Sequence, residues 1–397
     1  MCRHVGYFLF FKNIFCKTTS IYHLFSRGIC LSRQLLVTKK ENNCLTIEKK
    51  VVSLQNGKKY ACKMKIVVDD KIPYIREKLE MLADEVVSLR GADIKADDVK
   101  DADALIVRTR TRCDEQLLAG SKVQFVATAT IGFDHIDVDY MQRAGIVWTN
   151  CPGCNAASVA QYVECSLLLL QQQKGISLKD STIGIVGCGH VGSKVKDVAE
   201  RLGMRTLVCD PPLGKAGFVT METIEQACDV ITFHVPLTRE GRYATWHLAD
   251  EDFFHRLPRV PYLINTSRGG VVDNDALLSA LEEGRVADAV IDVWEHEPLL
   301  NQTLLQRVFI GTPHIAGYSA DGKVNADNMV IDALCRHFHL PNPGKIVPPS
   351  LPVVMDKTAG PLDFYNPLED SFRLKTSPSD FEKLRNDYPI RREKMHK

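Results

Sequence analysis

Gly187-Cys188-Gly189-His190-Val191-Gly192 constrains the fold more than any other stretch of this chain. It closes a β-branched run (STIGIVG, Ser181–Gly187) and opens a helix-forming stretch from about His190 to Leu202. It also precedes a second apolar run, RTLVCD, that ends in Asp210. A lone G-x-G-x-x-G is weak, and an ordinary βαβ glycine turn could supply one. Strand, turn, helix, strand and terminal acid in this order, however, make up the dinucleotide fingerprint. Gly187 permits the tight turn, and Gly192 lets helix and strand pack closely. Gly189 lets a pyrophosphate approach the N–H groups at the start of the helix, around His190 and Val191. Asp210 would accept hydrogen bonds from ribose hydroxyls and repel a 2′-phosphate, so NAD rather than NADP is expected.

The fingerprint sits within an alternating pattern. From Met64 the chain reads as strand KIVVDD, helix Pro73 to Ala83, strands EVVSL, ALIVRT and VQFVATAT (Val123 to Thr130), a helix near Val138 to Ala144, and strand GIVWTN. A helical apolar run, Ala156 to Gln172, leads into a longer series. Its strands are the two flanking the fingerprint, then DVITFHVPL, YLINTS, ADAVIDVW and VFIGTPHIAG. Strands interleaved with helices imply parallel sheets covered on both faces. The α/β fold class is therefore two doubly wound, Rossmann-like domains flanking a cleft. The expected boundaries are residues 64–151 plus about 315–338 for the substrate-side (lid) domain and 152–314 for the NAD-binding domain. Beyond about Leu340, PNPGKIVPPSLP reads as a proline-rich linker, followed by a charged, partly helical tail.

A length of 397 residues with 45% hydrophobic content suits more than one core. The net charge of +1 hides an asymmetry: residues 1–63 hold twelve Lys/Arg against Glu41 and Glu48, a net +10, which leaves −9 for the remainder. That segment is expected to be a disordered extension or to lie upstream of the true start. Its apolar run Val5 to Phe11 is too short to span a bilayer, and low acidity with scattered Arg and Ser only faintly resembles an organellar transit peptide. Thirteen cysteines, an odd number without a convincing export signal, point to free thiols in a reducing compartment.

An enzyme that oxidises an alcohol with NAD needs a base for the hydroxyl proton and a cation for a carboxylate or developing oxyanion. Three strand ends of the second series offer these groups. Arg268 follows INTS with a planar fork suited to a carboxylate. Glu297 ends IDVWEHE before Pro298, and His314 follows Thr312-Pro313. A histidine paired with a carboxylate can accept and return a proton near neutral pH. Singly, each has a bland reading as a surface cation, a helix-start acid or a polar loop residue. For an anionic substrate group, VRTRTR places Arg108, Arg110 and Arg112 on one side of an extended strand, with Arg108 favoured for the cleft.

Through GCGHVG, NTSRGGVVD, DVWEHEP and TPHIAG, the chain from Met64 onward resembles the D-isomer-specific 2-hydroxyacid dehydrogenases. The resemblance implies NAD-dependent oxidation of a small phosphorylated 2-hydroxy acid. Arg268 would hold the carboxylate, Glu297 would support the histidine, and His314 would take the hydroxyl proton. It further implies that Asp210, Thr266, Ser267, Arg268, Asp292 and Gly317 line the NAD site, and that Thr109, Thr130 and Tyr318 border substrate or cofactor. Residues 339–397 would form a small α+β dimerisation domain of a cytoplasmic homodimer. No metal, nucleic acid or membrane partner is expected. Val235 in HVPL departs from the threonine common in related sequences and stays outside the proposed site. The alternatives are a D-2-hydroxyacid dehydrogenase acting on 3-phosphoglycerate or glycerate, and a non-catalytic NAD-sensing protein.

NCPGCNAA, residues 150–157, places Cys151 and Cys154 three apart. A single pair without a second pair or histidines argues against zinc, and the stretch is better read as an interdomain crossover. Pro152-Gly153 would turn the chain and Asn155 would cap the next helix, with Cys151 incidental.

Overall fold

The computed structural model describes residues 63–350 and 359–393, and upstream of these only the backbone of several strands. There, Ile29–Lys39 pairs antiparallel with Tyr22–Ser26 and with Leu45–Val52. The expectations for residues 1–63 otherwise lie outside the described residues. The chain divides into two compact units at Met64, and the larger, Met64–Lys397, carries every motif singled out above.

Two parallel sheets organise this body. The first holds β1 (Lys65–Asp69), β2 (Glu85–Leu89), β3 (Ala104–Val107), β4 (Phe125–Thr128) and β5 (Val147–Thr149), ordered β5-β4-β3-β1-β2. The second holds β6 (Thr182–Val186), β7 (Arg205–Cys209), β8 (Val230–Phe233), β9 (Tyr262–Asn265), β10 (Asp288–Ile291) and β11 (Ile310–Gly311), ordered β7-β6-β8-β9-β10-β11. In each sheet the strand order reverses beside the first strand. That is where open α/β sheets bind ligands, in the crevice beyond the carboxyl ends of the strands.

The central strands are short apolar runs buried on both faces. All four residues of β3, β4, β8 and β10 are buried, as sheets covered by helices require. Helix α1 (Ala156–Lys174) and helix α2 (His190–Arg201) cover one face of the second sheet, where Tyr162, Val163, Val195 and Val198 meet Ile183 and Ile185. Helix α3 (Ala320–Phe338) leaves the last strand of that sheet yet packs on the first, burying Val330, Ile331 and Leu334 against Ile66, Val68 and Ile106.

Of the expected α+β C-terminal part, the described residues show only the helical elements. Among the described residues of 359–393 the regular elements are helical: a short turn at Pro361–Phe364, then α4 (Pro367–Thr376) and α5 (Phe381–Asn386), with no strand. Asn366 caps α4 and Pro367 starts it, local chemistry that favours a helix. Leu374 and Phe381 lie in the same core as Phe233 and Leu305, and Ser371 Oγ accepts the Gly311 N–H at 2.9 Å. Among the described residues, no helix is long and apolar enough to cross a membrane.

Candidate active site

The glycine turn is built as the fingerprint requires. Gly187 has φ +90°, and a Cβ there would stand 2.6 Å from the His234 carbonyl oxygen. At Gly192 a Cβ would fall 1.9 Å from the Gly187 carbonyl oxygen, so α2 can begin against the turn only with glycine. A Cβ at exposed Gly189, in contrast, would meet nothing within 4 Å, which leaves the start of α2, His190 and Val191, open to a pyrophosphate. Asp210 follows β7. Its Oδ2 accepts the Cys188 N–H at 2.7 Å and its Oδ1 accepts the Leu213 N–H at 3.1 Å, which holds the acid beside the glycine turn. These residues fit the adenosine half of NAD.

The three chemical residues follow neighbouring strands. In register, Asn265 of β9 pairs with Ile291 of β10, and Ile291 pairs with Gly311 of β11. Arg268, Glu297 and His314 therefore sit on three adjacent loops beyond the carboxyl ends of one sheet. Asn265 shapes the first loop: its Oδ1 accepts the Ser267 N–H and hydroxyl at 3.1 and 2.8 Å, and its Nδ2 donates to the Arg268 carbonyl at 3.0 Å. Gly269 packs against the Trp294 backbone with no room for a Cβ. Arg268 is half-buried and reaches the opposite wall, because a Cβ at Gly132, between β4 and β5, would stand 2.8 Å from its guanidinium.

His314 and Glu297 form the central pair. The His314 Nδ1–H donates to Glu297 Oε2 at 2.8 Å, while Glu297 Oε1 accepts the Trp294 N–H at 2.9 Å. With Nδ1 bound, Nε2 is the nitrogen left to exchange a proton. Burial pushes the Glu297 carboxyl up, but the charge and hydrogen bond of His314, the Trp294 N–H and the charge of Arg385 outweigh it. The carboxyl is therefore held below its usual range. His314 itself sits at φ +56°, a left-handed conformation that a non-glycine residue adopts only when its surroundings enforce it.

Asp292 anchors the loop that carries it. Asp292 is 1% exposed. Its carboxylate accepts from the Thr312 hydroxyl at 2.7 Å, the Ile315 N–H at 2.7 Å and the Ala316 N–H at 3.0 Å, and its carbonyl accepts the His314 N–H at 2.8 Å. Asp292 thus lies beneath the histidine loop as its anchor. Ser267 is likewise buried, its hydroxyl turned to Asn265. Thr266 keeps its hydroxyl 3.4 Å from His234 Nδ1, and Gly317 lies against the Asn155 side chain.

The arginine motif is corrected by the fold. Strand β3 ends at Val107, and the chain then turns, the Thr111 N–H reaching back to the Arg108 carbonyl at 3.4 Å. The three arginines do not share one face of a strand. Arg108 Nε lies 3.3 Å from buried Asp69, Arg110 pairs with Glu382 of α5, and Arg112 pairs with Asp114 on the surface. Thr109 is exposed on this turn, the Thr130 hydroxyl donates to the Gly132 carbonyl at 2.9 Å, and Tyr318 is half-buried just beyond His314.

The crossover is also built differently in detail. Asn155 stands at the N-cap of α1, but its side chain makes no cap bond. Instead it wedges against Gly317 and Gly322. Gly153, at φ +76°, leaves no room for a Cβ, which would stand 2.8 Å from the His190 ring, so the turn rests directly on the nucleotide loop. Cys151 is fully buried, and its Sγ lies 3.4 Å from the carbonyls of Thr128 and Ala326, between β4 and α3. Burial pushes both crossover thiols up, Cys154 to about 12, so neither forms a thiolate near neutral pH.

His234 is a residue that the sequence motifs do not single out. It follows β8 under the glycine turn, its Nε2 2.9 Å from the Thr232 hydroxyl, and burial lowers its pKa to about 3, so it is neutral. Its one sequence signal is HVPL itself, a histidine directly after an apolar strand.

Comparison with known proteins adds to this geometry. Residues 161–316 match the family model described as D-isomer specific 2-hydroxyacid dehydrogenase, NAD binding domain. An erythronate-4-phosphate dehydrogenase of Bacteroides thetaiotaomicron is 56% identical over 338 residues, covering 83% of this chain and 97% of that protein. The one from Edwardsiella ictaluri is 44% identical, covering 83% and 93%. Among solved structures, the NAD-bound 3-phosphoglycerate dehydrogenase of Entamoeba histolytica is 31% identical with a TM-score of 0.60, covering 70% of this chain and 96% of its own. The D-lactate dehydrogenase of Aquifex aeolicus, complexed with NAD and lactic acid, is 26% identical with a TM-score of 0.58, covering 69% and 95%. This chain, with its NAD-binding sheet and its histidine–glutamate pair beyond three adjacent strands, belongs to the D-isomer-specific 2-hydroxyacid dehydrogenases.

Proposed function

We propose that this protein oxidises 4-phospho-D-erythronate at C2 to the 2-oxo acid, (R)-3-hydroxy-2-oxo-4-phosphooxybutanoate, within pyridoxine 5′-phosphate synthesis. The observation that carries the reading is the His314 Nδ1 to Glu297 bond of 2.8 Å at the mouth of an NAD-binding sheet, in a chain 56% identical to an erythronate-4-phosphate dehydrogenase. NAD, when bound, supplies the hydride acceptor. Arg268 clamps the substrate carboxylate and stabilises negative charge on the C2 oxygen. His314 Nε2 removes the hydroxyl proton as the C2–H bond breaks, and the adjacent carboxylate stabilises the imidazolium that forms. In the reverse direction the same nitrogen returns the proton to the carbonyl oxygen. Thr109, Thr130 and Tyr318 border the substrate, and Arg108 stands near its phosphate.

The same reading makes residues 64–151 with about 315–338 the substrate-side domain, residues 152–314 the NAD-binding domain, and residues 339–397 the contact surface of a cytoplasmic homodimer. The test is NAD reduction by the purified protein across 4-phospho-D-erythronate, 3-phosphoglycerate and glycerate, with 2-oxo acids added as electron acceptors. Preference for either competitor would sink the substrate assignment. A protein that bound NAD without turning over any of the three would favour a binding role. A single species at dimer mass in light scattering, lost on truncation at 339, checks the assembly.

A further inference from the structure

Two cations flank the ring of Tyr318 without a contact ion pair among the described residues. Lys323, in the first turn of α3, places Nζ 5.3 Å from the centre of the Tyr318 ring, and Arg385, on α5, places its guanidinium 5.7 Å from the same ring. Both side chains are half-buried. Among the described residues neither has a carboxylate within 4.0 Å, whereas Arg108, Arg110 and Arg392 all do. The Arg385 Nε is shut off from solvent and has no acceptor. Carboxylates act on both only from beyond contact distance, Asp327 on Lys323 and Glu297 and Glu382 on Arg385, and two partly desolvated cations without a contact ion pair are costly unless an anion joins them.

The location identifies the anion. Tyr318 lies four residues beyond His314, and Arg385 is close enough to Glu297 for its charge to help hold that carboxyl down. The cations therefore border the cleft that holds the reacting carbon, on the α3 and α5 side. Arg268, which reaches Gly132, covers the first sheet's loop instead. We infer that Lys323 and Arg385, flanking the ring of Tyr318, bind the phosphate of the substrate, and that α5 is thereby a wall of the active site. The inference rests on the reading that the substrate is phosphorylated.

Other groups around Lys323 agree with an anion site. Burial lowers the lysine's pKa, as do the charges of Arg108 and Arg391, while Asp327 opposes them. A phosphate dianion would relieve that repulsion. Arg385 remains a cation despite burial because Tyr318 and Glu297 favour its charge. Arg110 and Glu382 clasp the turn after β3 to α5, which keeps the turn beside this wall.

The experiment compares wild type, Lys323→Met, Arg385→Met and Lys323→Arg with NAD present, using 4-phospho-D-erythronate and unphosphorylated D-erythronate. Each Met variant should raise KM for the phosphorylated acid about ten- to a hundredfold, the worth of one charge-assisted hydrogen bond. It should also lower the preference for the phosphorylated over the unphosphorylated acid by a similar factor, while Lys323→Arg retains most of that preference. Equal losses on both acids, or an unmoved KM, would overturn the inference. Titrating the NAD complex with inorganic phosphate separates this outcome from failure of the substrate reading. Phosphate bound by wild type and lost in both Met variants supports the subsite even if another phosphorylated acid is the substrate, and phosphate bound equally by all four proteins removes it.

Discussion

Two histidines in the NAD-binding half meet carboxylates from the same short stretch, Glu295-His296-Glu297, and both adopt the left-handed conformation, with φ +50° for His247 and +56° for His314. Their surroundings differ in one respect. His314 spends Nδ1 on Glu297 and, among the described residues, keeps Nε2 uncommitted. His247 bonds Glu295 through Nε2 at 2.8 Å and has Asp273 Oδ2 3.2 Å from Nδ1. Its ring also stacks on Trp246, with centroids 4.4 Å apart. Proton transfer needs an accessible nitrogen, so the first histidine can do chemistry and the second can only brace. His247, Asp273 and Glu295 each offer a ligand atom, and these atoms lie within 4.8 Å of one another. The brace joins three pieces of chain: the loop before the Glu251–His255 helix, the start of the Asn274–Glu282 helix and the stretch that carries Glu297.

The difference between base and brace is most exposed at His314. His314→Gln should cut kcat by about 10³-fold or more, the usual worth of a positioned base, while equilibrium binding of NAD stays intact. Retained turnover would refute the assignment. Glu297→Gln keeps an acceptor for Trp294 but loses the charge, and should lower kcat by about 10²-fold without changing NAD affinity. The same variant tests the electrostatics of the pair. The folded Glu297 carboxyl lies below its usual value, so its stabilising contribution is full above the ordinary glutamate range, about pH 4.3. It is lost as the pH falls through the depressed folded value. Chemical denaturation of wild type and Glu297→Gln should therefore differ at pH 7 and converge in strong acid; a gap independent of pH would contradict the ion-pair account.

His247→Gln approaches the contrast from the other side. It should cost about 1–3 kcal/mol of stability by leaving a carboxylate short of a donor, while kcat stays within a small factor. A collapse of kcat comparable to that of His314→Gln would erase the distinction. The smallest effect is expected at the crossover. Cys151→Ala removes one buried sulfur from between β4 and α3, at about 1 kcal/mol. Its kcat should match wild type, and a large loss of activity at unchanged stability would return thiol chemistry to consideration.

Much of the fold is legible in the sequence because its signals are local. The glycine turn, the strand ends and the 138–144 helix each announce themselves within a short window, and short apolar runs bounded by polar ones can hardly fold otherwise. The failures share a cause, which is distance along the chain. VRTRTR alternates like a strand, but β3 runs out of partners after Val107 and buried Asp69 draws Arg108 in. Asn155 has the chemistry of a cap, yet Gly317 and Gly322, far along the chain, offer its side chain a tighter seat. Lys323 and Arg385 look like ordinary surface cations until the fold sets both against one tyrosine ring.

The seat of Arg391 has a practical bearing. Arg391 is 5% exposed, its guanidinium donates to Ser158 and to the Ala316 carbonyl, and its own carbonyl accepts the Ala320 N–H at 2.8 Å. This segment is thus threaded between α1 and the histidine loop. A purification handle fused after residue 397 would begin only a few residues from that seat, and one intended for kinetic work is better placed at the other end of the chain.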